Sequence, residues 1–288
     1  MRWERWAEYR PVRFGLLLLR RWLRHGVAVQ SAALAFYLLF TVFPLLIFVS
    51  ALLGLLQPDP ADLLGGLRGF LPREVTAVAE MYLNHVGARP SPRLLLFGMV
   101  FSVYFPMRAT NALMRAVRTA YHLGPPRSAL FHRLKTLAYT VLLIATVALT
   151  LTLMTVGERL LGAAVVELGV PPAVAVLWQR LRFPVIAAAG YLALVLLYAL
   201  AQDEPIPPRE LRPGAAAALG AWLVLNGGYA LYAERFAEYS ALYGSIGAVI
   251  VLLVWLNLSA AVLILGAEVN GVLNGLRKDR MERMTADG

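Results

Sequence analysis

Long apolar runs separated by short charged stretches dominate the chain. They occupy residues 28–56, 94–113, 134–156, 183–201, 214–232 and 243–273. A helix needs about 20 apolar residues to cross the hydrocarbon of a bilayer, and these runs match that length. Leu and Ala prevail within them, which favours helices over barrel strands. The pattern predicts an all-α polytopic membrane bundle of six transmembrane helices.

The segments between the runs refine this picture. Residues 1–27 carry Arg2, Arg5, Arg10, Arg13, Arg20, Arg21 and Arg24 interleaved with Trp3, Trp6, Phe14 and Trp22. Such a segment fits a helix lying in the headgroup layer, or a cytoplasmic tail that enforces topology. Residues 57–93 form a long connection in which Val75, Val78, Ala79, Tyr82, Leu83 and Val86 recur at helical spacing, with Glu74 and Glu80 off that face. They predict interfacial helices broken near Pro72, inserted outside the cytoplasm. A loop is expected after the third run, holding Glu158, Arg159, Glu167, Pro171, Pro172, Arg180 and Arg182. An acidic, Pro-rich turn follows the fourth, from Asp203 and Glu204 to Pro213. Residues 28–273 then form the transmembrane domain, and 274–288 a charged tail.

Composition agrees with a membrane setting: 59% of the 288 residues are hydrophobic, and mean hydropathy is +0.65. The net charge of +10 would suggest nucleic acid in a soluble chain. Here the basic residues flank apolar runs, so topology and anionic membrane lipid are the expected partners, with no nucleic acid. With the N-terminus inside, 19 Lys and Arg fall on cytoplasmic segments and 8 on outer ones. Both ends are therefore expected in the cytoplasm. The absence of Cys excludes disulfides, cysteine zinc sites and iron–sulfur clusters.

No catalytic residue, metal site or cofactor is expected. His25, His85, His122 and His132 lie in no metal-ligand spacing, and neither an HExxH nor a Walker-type phosphate loop occurs. The informative residues are polar ones inside the spans, because charge in hydrocarbon is costly and faces the bundle interior or water. Arg108 and Glu268 fall at similar depth in the second and sixth spans, which predicts an ion pair, a polar gate or an anion-coordinating site. Tyr37, Asn111, Asn257 and Asn270 are candidates to line a path; helix–helix hydrogen bonding is the plainer role for the amides. Pro44 and Pro106 should kink their spans. Gly244 and Gly247 form a small-residue face that allows close packing or a homo-oligomer. Arg115, Arg118, Arg127 and Arg133 form a basic row, with no acid among them, that suits lipid phosphates.

Two stretches carry a family resemblance. QSAALAFY at 30–37 with TVFPLL at 41–46 resembles the first span of the YihY/BrkB family, and YSALYGSIGAVI at 239–250, continuing through Trp255 and Leu256 to GAEVN at 266–270, resembles its last. RAVRTAY at 115–121 and PGA at 213–215 also fit. The chain departs from the family pattern after the fourth span, where Ala199 to Glu204 replace a Leu-Pro step. The resemblance implies a six-span protein of the bacterial cytoplasmic (inner) membrane. Some members carry a ribonuclease BN label and others a virulence or serum-resistance label. The ribonuclease label fits these residues poorly, since a nuclease needs metal-binding carboxylates or an acid–base pair. The leading expectation is a transporter or permease for a small solute or an anionic lipid. A non-transporting, lipid-binding envelope scaffold is the other class, and a membrane hydrolase the third.

Overall fold

The computed structural model describes residues 10–56, 92–167, 172–243 and 245–286. Seven helices account for nearly all of them: α1 Arg10–Arg24, α2 Val27–Leu56, α3 Pro92–Ala120, α4 Ala129–Glu167, α5 Pro172–Leu200, α6 Pro208–Tyr243 and α7 Ser245–Ala286. No strand occurs among the described residues. Proline opens α3, α5 and α6, where its missing N–H costs nothing and its fixed φ suits the first turn. Gly26, with φ 61°, ends α1 in the left-handed region and turns the chain by 60° into α2. His122 takes a similar φ of 54° just after α3, and Gly124, Pro125 and Pro126 prevent the helix from continuing.

Six of the predicted apolar runs thus lie in α2 to α7, and the all-helical class is the one observed. Among the described residues, Ala129–Val147, Arg180–Leu200 and Val249–Lys278 are long and apolar enough to cross a membrane. The bent pair Val12–Arg24 and Val27–Val42 is a fourth if it acts as one span. The expected loop after the third run is much shorter than predicted: α4 continues through Glu158 and Arg159 to Glu167, and α5 already begins at Pro172. Hydropathy marks the stretch inside hydrocarbon, whereas the hydrogen-bonded helix extends past it. The interfacial helices expected within 57–93 fall almost wholly outside the described residues, as does Gly244.

α2 packs along α3 and α7, α7 also lies against α6, and α5 bridges α4 to α6. Leu34, Met114, Val117, Leu197, Tyr198, Leu211, Ile264 and Ala267 form the centre of the core. Large apolar side chains such as Leu96, Val100, Val141, Leu192 and Val224 face outward. In water these would be a liability, but against acyl chains they are solvated. Helix association must then come from close packing and interhelical hydrogen bonds. The α6–α7 crossing shows both. A Cβ on Gly214 would overlap the Gly266 carbonyl oxygen, and one on Gly266 would overlap the Tyr198 hydroxyl and the Ala218 methyl. Tyr198 donates to the Leu263 carbonyl at 2.8 Å, tying α5 to the same crossing.

Pro44 and Pro106 are both buried within helices that remain continuous across them. The chain also bends by 60° at the glycine corner before α2.

Candidate functional site

An aromatic wall runs between α2 and α3. Phe36 meets Phe40 at 4.5 Å between ring centroids, Phe40 meets Phe105 at 5.6 Å, and Phe105 meets Phe101 at 5.7 Å. At one end of this wall Arg108 places its guanidinium 5.7 Å from the Tyr37 ring and 5.8 Å from the Tyr104 ring, within the range of cation–π attraction. Arg108 is exposed, and among the described residues no carboxylate or carbonyl pairs with it. It lies ten residues from Arg118 on α3, or about 15 Å along the axis.

The predicted Arg108–Glu268 pair does not form. Glu268 is fully buried and bonds to His25 Nδ1 at 2.6 Å, with Arg21 at 3.8 Å from its other oxygen. The depth argument fixed only the position along the membrane normal. Around the axis, α3 turns Arg108 outward beside α2, while α7 turns Glu268 toward the α1–α2 corner.

The basic row is also largely answered from within the protein. Arg118, 4% exposed, makes a bidentate pair with Asp203 at 3.0 and 2.8 Å and donates to the carbonyls of Ala201 and Gly124. The Arg118 hydrogen bonds hold the Asp203 carboxyl below its ordinary range. Arg127 pairs with Glu204 at 2.8 Å, both well exposed. Lys135 donates to the Gln202 carbonyl at 2.7 Å. Arg118 and Arg127 are therefore ion-pair partners of the 202–207 turn rather than open phosphate ligands. Arg115 and Arg133 remain exposed. The departure from the family pattern after the fourth span is thus where the acids of this pairing reside. A cleft of about 110 Å³ opens here, bounded by Arg118, Phe131, His132, Lys135 and Asp203.

The amides divide by role. Asn270 is buried; its Oδ1 accepts from the Gly214 N–H at 2.7 Å and its Nδ2 donates to the Leu211 carbonyl at 2.8 Å. It is a tie between α6 and α7, not a path-lining group. Asn111 meets His132 at 3.1 Å, joining α3 to α4. Asn257 keeps a buried Oδ1 without a hydrogen-bond partner among the described residues. Gly247 is half-buried. No group of three His, Cys, Asp or Glu side chains able to hold a metal occurs among the described residues. Sequence reasoning missed Arg21, His25 and Asp203, whose partners lie 77 or more positions away; only the fold brings them together.

These features define an all-helical membrane protein with a basic, ion-paired end and an exposed arginine beside an aromatic wall, without a carboxylate partner among the described residues. The chain belongs to the virulence factor BrkB family, whose model matches residues 18–287. It is 29% identical over 261 residues to a ribonuclease-like protein, YfkH, of Bacillus subtilis (strain 168), covering 91% of this chain and 95% of that one. It is 32% identical over 136 residues to a UPF0761 membrane protein of Halorhodospira halophila, covering 44% of this chain and 30% of the relative. A UPF0761 membrane protein of Chromohalobacter salexigens is 25% identical over 277 residues, 91% of this chain and 63% of that one. The chain thus spans less than two thirds of these two UPF0761 relatives. No solved structure matches.

Proposed function

We propose that this protein moves a phosphate-bearing or otherwise anionic substrate, an anionic lipid or a small solute, along the groove between α2 and α3. The observation that carries this reading is Arg108: exposed on α3, framed by Tyr37 and Tyr104, and without a carboxylate partner among the described residues. An ionised side chain in that position is stable only where an anion, water or a headgroup answers it. The outward aromatic wall suits acyl chains beside a headgroup held by the guanidinium. Arg115 and Arg133, exposed at the basic end, would receive the anion first.

This reading places α2 to α7 as six spans. Each has at least 29 residues, or about 43 Å, more than the hydrocarbon requires. It sets the ion-paired end in the cytoplasm of a bacterial inner membrane, with both termini there and α1 lying along the headgroups. Leu16, Leu19 and Leu23 are exposed on α1 and would dip into the acyl boundary. No catalytic step is part of this reading, and the ribonuclease-like name remains that of the Bacillus relative. Transport is passive or ion-coupled, since no nucleotide motif is present to drive it.

A scaffold is the second reading. It is favoured by Asn270, Arg118 and Asp203, which tie helices together without facing a path. Native mass spectrometry of the protein released from membranes separates the two. A co-purified anionic lipid or metabolite that wild type retains and Arg108→Ala loses supports the groove. A ligand set identical in both supports the scaffold.

A further inference from the structure

The buried carboxylate of Glu268 is a charge in the core that the proposed path does not use. Its Oε1 is 2.6 Å from His25 Nδ1, its Oε2 accepts no hydrogen bond from the described residues, and Arg21 stands 3.8 Å away. His25 is 8% and Glu268 1% exposed in their side chains, so the contact is nearly dry. Both partners come from the corner at which α1 turns into α2 through Gly26. Arg21 also donates to the Ala120 carbonyl at 3.0 Å, the last residue of α3. A Cβ on Gly271 would overlap that carbonyl and the Arg21 guanidinium, so glycine lets α7 approach both. Three elements therefore converge on one buried negative charge.

The groups facing this charge are few. α1 contributes Arg21 and Arg24, which are permanent cations. The turn after α3 contributes His122, whose ring stands edge-on to His25 with centroids 5.1 Å apart, and Tyr121. α6 contributes Glu210 at longer range, acting on Tyr121. Burial, then the charges of Arg21 and His25, hold the His122 imidazole below its ordinary range. Burial pushes the Tyr121 hydroxyl up. Neither is suited to change charge near neutral pH. His25 is the histidine in contact with the carboxylate.

We propose that His25 and Glu268 form a proton-dependent latch that holds the α1–α2 corner against α7. With a proton on both ring nitrogens, His25 is an imidazolium and the contact is a buried ion pair. When that proton leaves to water past the exposed His122, a single hydrogen bond from the neutral ring to the still ionised carboxylate remains, without the ion-pair attraction. The latch then weakens, and the corner is free to swing about Gly26. α2 carries Tyr37, one wall of the Arg108 groove, so the latch would gate that groove at its basic end. In this last respect the inference rests on the proposed function; the latch itself does not.

The absence of native Cys allows a clean distance measurement. Leu19→Cys on α1 and Lys278→Cys on α7, both exposed, carry spin labels in lipid nanodiscs from about pH 5 to 8.5, across the range in which histidine titrates. With His25 and Glu268 intact, the long-distance population should rise with pH, its ratio to the short one changing about tenfold. Glu268→Gln should abolish the pH response. His25→Lys keeps a cation beside the carboxylate and should stay closed throughout. A pH-invariant distance in the background with both residues intact overturns the latch. So does a pH response that survives in His25→Lys, which decides the matter if Glu268→Gln does not fold. Flux through the groove is a separate readout. If flux is absent and the pH response present, the transport reading fails and the latch stands; the opposite result removes the latch alone.

Discussion

At Asn270 a side-chain amide takes the part of a backbone partner. It accepts from Gly214 and donates to Leu211 on either side of Pro213, which cannot donate a hydrogen bond of its own. Asn270→Leu strands both polar groups in the core, and a loss of about 2 kcal/mol is expected as a lower melting temperature in detergent. Asn270→Asp keeps the acceptor and should lose less. Arg118 and Asp203 give a prediction with a pH signature. Asp203 is held below the ordinary carboxylate range by Arg118, so its stabilisation is present above that range and fades as pH falls through the lowered value. Asp203→Asn should therefore lower the melting temperature at pH 7, with the gap to wild type closing as the solution is acidified. A gap that is constant with pH would assign the loss to packing rather than charge. Neither partnership could be read from the sequence. Arg118 and Asp203 are 85 positions apart, and His25 and Glu268 are 243 apart. A sequence shows that a buried charge needs a partner; the azimuth of each helix decides which partner it gets.

Among the elements, α6 and α7 illustrate how this bundle holds together without a hydrophobic force between its helices. Gly214, Gly266 and Ala218 bring the two backbones close enough for packing and carbonyl contacts to supply the attraction. Gly266→Leu forces the crossing apart and should cost about 3 kcal/mol or prevent assembly. Gly220→Ala, on α6 with open space around it, should leave the melting temperature unchanged. The helices themselves were legible from their apolar runs, because a bilayer imposes a minimum length on any span. Their ends were not. α7 has 42 residues against about 31 in its apolar run, as its charged C-terminal part protrudes while staying helical. The same holds for α4, where Glu158 and Arg159 lie inside the helix rather than in a loop. Pro44 and Pro106 were legible as residues of the apolar runs; the 60° bend at Gly26, where a left-handed φ permits it, was not.

For the whole molecule, six spans with the basic end in the cytoplasm make a topological prediction. Single cysteines in the Cys-free chain at Gly124 and Glu204 should react from the cytoplasmic side only, and one at Gly87 in the long connection from the outer side only. Labelling of Gly124→Cys from outside intact cells would reverse the orientation. Function turns on the groove. Arg108 was legible as a charge in an apolar run, and Tyr37 as a candidate to line a path, yet the sequence joined Arg108 to Glu268 rather than to the tyrosines. What the fold adds is that the guanidinium lies over the Tyr37 and Tyr104 rings with no carboxylate beside it among the described residues. The most direct test is flux in proteoliposomes, with a fluorescent anionic phospholipid in one arm and a trapped inorganic anion in the other. Transport by wild type in either arm, reduced about tenfold or more in Arg108→Gln and partly kept in Arg108→Lys, is the result the account predicts. Equal rates in wild type, Arg108→Gln and protein-free vesicles, from protein that remains folded, would contradict it.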